Sequence, residues 1–181
     1  MRSHRRLWIA YASTGTVTLA MLAAASSVGL RVNTTASMPR GLWRVVDYDA
    51  PLRRGEVVAI CPPDITPVRQ GAERGYIPVG GCPGGYEPLV KPIAATAGDV
   101  VDISIGGWVS VNGQAVPDTA QLARDSAGRA LSPVPPGAYP VGLGDVWVLS
   151  GHDPRSFDSR YFGPVPAANV QGVAYPVWVM R

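Results

Sequence analysis

The sequence predicts a mainly β fold: an antiparallel, exported β-domain behind one N-terminal transmembrane helix. Three observations carry this. The chain opens with a cluster of arginines followed by a long charge-free run. Beyond that run, short segments rich in Val, Ile and Trp are separated by Gly and Pro. The charge balance also differs on the two sides of residue 31.

Arg2, Arg5, Arg6 and Arg31 lie in an N-terminal stretch without Asp or Glu, and no charged residue occurs between Leu7 and Leu30. As a helix that run would extend roughly 36 Å, enough to cross a hydrocarbon core of about 30 Å. The arginines ahead of it predict a cytoplasmic N-terminus over residues 1–6, an anchor over 7–30 and an exported domain over 31–181. The expected location is therefore a bacterial inner membrane, crossed once, with the domain in the periplasm. A cleaved signal peptide ending near Ala23-Ala24-Ala25 is the alternative, but the uncharged run is long for a signal-peptide core. The 181 residues carry a net charge of +3, yet that excess belongs to the N-terminus, so a nucleic-acid partner is not expected.

Within the exported part the strands expected are Leu42–Val46, Glu56–Ile60, Val100–Ile105, Trp108–Val111, Val146–Leu149 and Val173–Met180. Asn112-Gly113 predicts a tight type I′ hairpin between Val109-Ser110-Val111 and Gln114-Ala115-Val116. Pro62–Pro88 reads as a long irregular loop. Ala120–Tyr139 reads as a second insertion, where Pro133, Pro135 and Pro136 argue against a regular element. No window after the anchor has helical periodicity. Cys61 and Cys82 both fall in the exported part. In an oxidising compartment one disulfide between them is expected, with two buried thiols as the alternative. His4 and His152 are the two histidines and nothing has metal-ligand spacing, so no metal and no cofactor is expected.

Of the sixteen basic residues fifteen are arginine; the exception, Lys91, sits in the apolar run Pro88-Leu89-Val90-Lys91-Pro92-Ile93-Ala94-Ala95. An ammonium buried among apolar groups can lose its proton, whereas a guanidinium cannot. Lys91 is thus a candidate general base in search of a nucleophile. On position alone, a packed stem with its head snorkelling to water is the alternative.

Three segments supply the rest: Thr35-Ala36-Ser37-Met38-Pro39-Arg40-Gly41-Leu42-Trp43, Leu89 to Asp99 around Lys91, and Ser150 to Pro166, which contains Ser156-Phe157-Asp158-Ser159-Arg160. With Arg54-Gly55-Glu56-Val57-Val58 between them, they resemble the type I signal peptidase family. Most closely they resemble its conjugative-transfer branch, the TraF-type peptidases that mature pilin subunits. Ser37-Met38-Pro39 matches the nucleophile segment, Val90-Lys91 with Gly98-Asp99 the lysine strand and its turn, and Ser156 to Arg160 the last box. The chain has Gly151-His152-Asp153 where general leader peptidases usually have Gly-Asp-Asn, and Ser-Met-Pro-Arg-Gly-Leu fits the conjugative branch better.

The resemblance implies a β-domain of the signal-peptidase type and a serine endopeptidase with a Ser37–Lys91 dyad. Ser156 would orient the lysine, and the Ser37 N–H with the Thr35 hydroxyl would form the oxyanion site. The substrate would be an exported, pilin-like precursor with small residues near its cut, handled at the inner membrane beside conjugative secretion components. Chemistry agrees with that assignment, because a serine needs a base within reach. A lysine can be that base only when desolvation lowers its pKa toward roughly 7–8. Asp158 and Arg160, two apart on an extended chain, would share a face and pair. A Ser-His-Asp triad through His152 and Asp153 is disfavoured, since adjacent residues on an extended chain face opposite ways. Asp99 reads as a turn residue. Two other readings stand beside this one: a general leader peptidase, and a non-catalytic membrane-tethered β-scaffold of a secretion system.

Overall fold

The computed structural model describes residues 28–180, so the expected anchor lies outside them apart from its last residues. Val28 and Gly29 form a turn, and Leu30 already belongs to the first strand. Among the described residues no helix is long and apolar enough to cross a membrane.

Eleven strands form two antiparallel sheets. The larger has the order β1-β2-β11-β3-β4-β9-β10. Its strands are β1 (Leu30–Asn33), β2 (Gly41–Val46), β3 (Val57–Ile60), β4 (Leu89–Thr96), β9 (Asp145–Val148), β10 (Val165–Pro166) and β11 (Val170–Val179). The smaller, ordered β7-β6-β5-β8, comprises β5 (Val100–Ile103), β6 (Val109–Val111), β7 (Gln114–Ala115) and β8 (Gly137–Pro140). The six expected strands thus all form, with ends shifted by a few residues. β6 and β7 are joined by Asn112 and Gly113 at φ 50° and 76°, the left-handed pair that a type I′ turn requires.

Each sheet has its own core. Val58, Ile60, Ile93, Val148, Phe162 and Val165 centre one; Val101, Ile103, Val111, Trp147 and Leu149 centre the other. Strand β4 links them. Its burial alternates strictly, with Leu89, Lys91, Ile93 and Ala95 turned inward. Lys91 is therefore carried into the interior by the parity of a strand whose other inward residues are apolar.

Two expectations need correction. Pro62–Pro88 is not wholly irregular, because it contains helix α1 (Thr66–Glu73), with a proline in its first turn. Its TPVRQGAE sequence is short and carries a narrow face of Val68, Gly71 and Ala72, by which it is held against the core. At Gly71 an added Cβ would stand 2.7 Å from the Phe157 ring, so the close approach of that ring requires glycine. The stretch Ala120–Tyr139 likewise gives its end to β8, after a small hairpin bridged at Arg124 and Ala130. Cys61 and Cys82 form the expected disulfide, which clips the end of β3 to the loop beyond α1. Closing a loop of that length stabilises by about 3 kcal/mol in the chain-entropy model.

Candidate active site

The segment after β1 carries Ser37. Asn33, buried at the end of that strand, organises it: its amide nitrogen donates to the carbonyls of Thr35, Met38 and Pro39 at 3.1, 3.0 and 3.1 Å. Its carbonyl oxygen accepts the Thr35 N–H at 3.2 Å and the Thr35 hydroxyl at 2.9 Å. The Trp43 indole adds a second hold on Pro39, at 3.0 Å. From the other side Ser150 Oγ donates to the Ser37 carbonyl. Asn33 and Ser150 received no role from the sequence. The Asn-Thr-Thr run was a local hint of a side-chain-closed turn, whereas the Ser150 contact is set by tertiary placement alone.

Lys91 is 1% exposed, and its Nζ donates to Ser156 Oγ at 2.6 Å. Burial drives its pKa down from 10.5 to about 8; the Asp158 and Asp153 charges oppose that and Arg160 adds to it. Ser37 and Lys91 both line a cavity of about 60 Å³ that runs past Asn33, Thr35, Leu89 and Phe157. No hydrogen bond joins the Ser37 hydroxyl to the Lys91 amine among the described residues. A larger cavity of about 280 Å³ opens on Ser37, Thr35 and Ser156 from the side of the Ala120–Tyr139 insertion.

Asp158 and Arg160 do pair, through geometry other than the extended face expected. Asp158 caps the helical turn α2 (Ser159–Phe162) and accepts the Arg160 backbone N–H. The guanidinium folds back on the same carboxylate in a two-pronged contact of 2.8 and 2.9 Å, with both side chains fully buried. The remaining donors reach the carbonyls of Ala120, Pro154, Ser150 and Ser156. Burial pushes the Arg160 pKa down, but the hydrogen bond and charge of Asp158 outweigh it and leave it raised. Asp158 Oδ2 also accepts the Ser150 N–H at 3.1 Å.

The rival residues are engaged with other partners. His152 is exposed, and its backbone N–H reaches Ser150 Oγ at 3.3 Å. Asp153 accepts from Arg155 rather than from that imidazole. Asp99 closes the turn after Gly98, which has φ 91°, accepting the Thr96 N–H at 2.9 Å and the Asn112 amide at 2.7 Å. Burial raises its carboxyl pKa, and those bonds with nearby Arg54 reverse this to leave it lower than usual. Among the described residues no group of three or more His, Cys, Asp and Glu is placed to hold a metal ion.

The "Probable conjugal transfer protein TraF" of Sinorhizobium fredii is 41% identical over 165 residues, covering 90% of this chain and 85% of that protein. A "Plasmid transfer protein TraF" of Escherichia coli is 37% identical over 163 residues, covering 90% of each. A signal peptidase I structure from Enterococcus faecalis aligns with a TM-score of 0.40 at 20% identity, covering 68% of this chain and 97% of that one. The family described as "Signal peptidase, peptidase S26" matches residues 4–179, and the chain belongs to that family.

Proposed function

We propose that this protein is a membrane-anchored serine endopeptidase in which Ser37 is the nucleophile and Lys91 the general base, and that it matures an exported precursor, a conjugative pilin subunit. The observation that carries the reading is a lysine 1% exposed, shifted toward neutrality by burial, held by one hydroxyl and opening into a cavity that Ser37 shares. A lysine serving only to stabilise the fold would gain from a carboxylate partner, and among the described residues this one has none in hydrogen-bond contact.

In the proposed cycle the neutral Lys91 amine takes the Ser37 proton as the hydroxyl oxygen attacks the scissile carbonyl. The Ser37 N–H and the Thr35 hydroxyl receive the developing oxyanion. Thr35 now donates to Asn33 Oδ1, so this role requires its hydroxyl to turn. The Lys91 ammonium then gives its proton to the departing amine, and a water activated by the same lysine hydrolyses the acyl-enzyme. If a chain terminus attacks in place of water, the product is cyclic.

The conjugative substrate is inferred from the names of the relatives. The membrane setting is supported by the charge-free run before Leu30 and by an apolar face on the sheet edge. There Val32 and Trp178 flank Leu42 across paired strands and are 64% and 66% exposed. The decisive experiment is intact-mass analysis of a candidate pilin precursor incubated with membranes carrying wild type or Ser37→Ala. Processing by wild type alone supports Ser37 as the nucleophile, loss in Lys91→Ala as well would support the dyad, and a product one water lighter than the linear form adds cyclisation. Processing of unrelated exported precursors at matching rates would favour a general leader peptidase. Full function from the Ser37→Ala protein would favour a scaffold.

A further inference from the structure

Ser37 stands where two cavities of unequal size meet. The smaller, about 60 Å³, lies along the strands; the larger, about 280 Å³, is walled by Leu122 and Leu131 of the insertion and by Tyr76, Phe157 and Tyr161. A cavity of roughly 150 Å³ accepts a benzene ring, so the larger holds an aromatic side chain and the smaller does not. Precursors cut at export signals carry small residues before the cut. They match the smaller cavity. Of the two others beside Ser37, one of about 410 Å³ is lined by Arg40, His152, Asp153 and Arg155 and is charged. The aromatic-walled one is therefore assigned to an apolar side chain on the other side of the scissile bond.

The larger cavity is braced rather than loose. The Phe157 and Tyr161 rings stack with centroids 5.4 Å apart and planes 10° from parallel. The Tyr161 hydroxyl accepts the Leu122 N–H at 3.1 Å, fastening the insertion to the ring floor. The Tyr76 hydroxyl donates to Asp125, which also pairs with Arg129 at 2.6 Å, and Arg74 holds the Ala130 carbonyl at 2.7 Å. The acidic residues at the cavity are thus matched in pairs, Asp125 with Arg129 and Asp153 with Arg155. The walls open to an occupant are mainly apolar: Leu122, Leu131 and Phe157 are each half-buried, with Ser126 and Arg155 exposed beside them.

We infer that this cavity is a specificity subsite for a large apolar, preferably aromatic, side chain on the leaving-group side of the scissile bond. The inference rests on the peptidase reading above. Successive side chains of an extended peptide point to opposite sides, so one of the first two residues after the cut enters.

The test uses the full chain in membranes and two precursors with an Ala-Xaa-Ala cut site, one continuing Phe-Phe and the other Gly-Gly. Wild type should process the Phe-Phe precursor with a kcat/KM roughly tenfold or more above the other. Ser126→Trp, at the exposed lip, should bring that ratio close to one by filling the cavity, and Leu131→Ala should lower it by removing a wall. Equal rates with wild type, or a ratio unchanged in both variants, would overturn the subsite while leaving the peptidase reading intact. Absence of any Ser37-dependent cleavage would instead remove the peptidase reading, and the subsite with it.

Discussion

Two cations are buried on opposite sides of Ser156, and they are treated in opposite ways. Arg160, fully buried, meets a carboxylate with two prongs and four carbonyl oxygens. Lys91, 1% exposed, meets one hydroxyl. Burial penalises the charge of both side chains, yet one keeps its charge and the other is moved toward losing it. Compensation, together with the higher intrinsic pKa of a guanidinium, and not burial alone, separates a structural cation from a prospective base. Ser156 touches both, with its hydroxyl on the amine and its carbonyl on the guanidinium at 2.9 Å.

The strongest way to break this contrast is to make the two sites alike. Lys91→Arg should lose precursor processing by roughly 10²–10⁴-fold, as Lys91→Ala should, because a guanidinium stays charged. Activity surviving in Lys91→Arg, measured by product mass, would remove Lys91 as the base.

Next in size is Asp158→Ala, which strands the Arg160 charge in the interior and should cost about 3–5 kcal/mol by urea unfolding. The double variant Asp158→Ala/Arg160→Met should recover part of that loss. A double variant as unstable as the single one would show that the carbonyl contacts, and not the charge pairing, carry the stability.

The lysine site predicts the reverse sign. Its folded pKa of about 8 lies below the 10.5 of the unfolded chain. Below about 8 both states are protonated and the full cost of burying an ammonium is present. Between about 8 and 10.5 the unfolded chain binds more protons, so stability rises with pH. Lys91→Met should therefore melt above wild type at neutral pH, and the gap should close in alkaline buffer. The same titration should make the wild-type rate rise through about pH 8. A rate flat from mildly acidic to alkaline pH, with chemistry limiting, would contradict this.

The smallest effect is expected at the shared residue. Ser156→Ala removes the one hydrogen bond of the amine and should lower kcat by roughly ten- to a hundredfold, with KM little changed. Its pH–rate midpoint should move as well, a change that a purely structural serine would not produce.

The sequence exposed these two sites unequally. Lys91 could be picked out because it is the single lysine of an arginine-rich chain in an apolar run. Its strand showed no alternation, since Val90, Pro92 and Ala94 on the opposite face are apolar too. Arg160 and Asp158 could be paired by spacing, although the spacing acts through a helix cap and not an extended face. The six strands were legible from Gly and Pro punctuation, whereas α1 was not, because in eight residues its buried face shows only Val68 and the small Gly71 and Ala72, which fit against the core and Phe157. Asn33 and Ser150 were hidden for a related reason: a side-chain amide or hydroxyl does not announce which distant carbonyl it will meet.

Ser150 holds the carbonyl of Ser37, while its own N–H and carbonyl are held by Asp158 and Arg160. The same guanidinium holds Ser156, which holds Lys91. The two halves of the proposed dyad therefore hang from a common mount, although they come from distant parts of the chain. Lys91 is also fixed by its own strand, β4, so the ion pair supplies one of two supports for it. In the proposed reaction the buried ion pair would thus act as a jig, setting where two distant segments meet without touching the substrate.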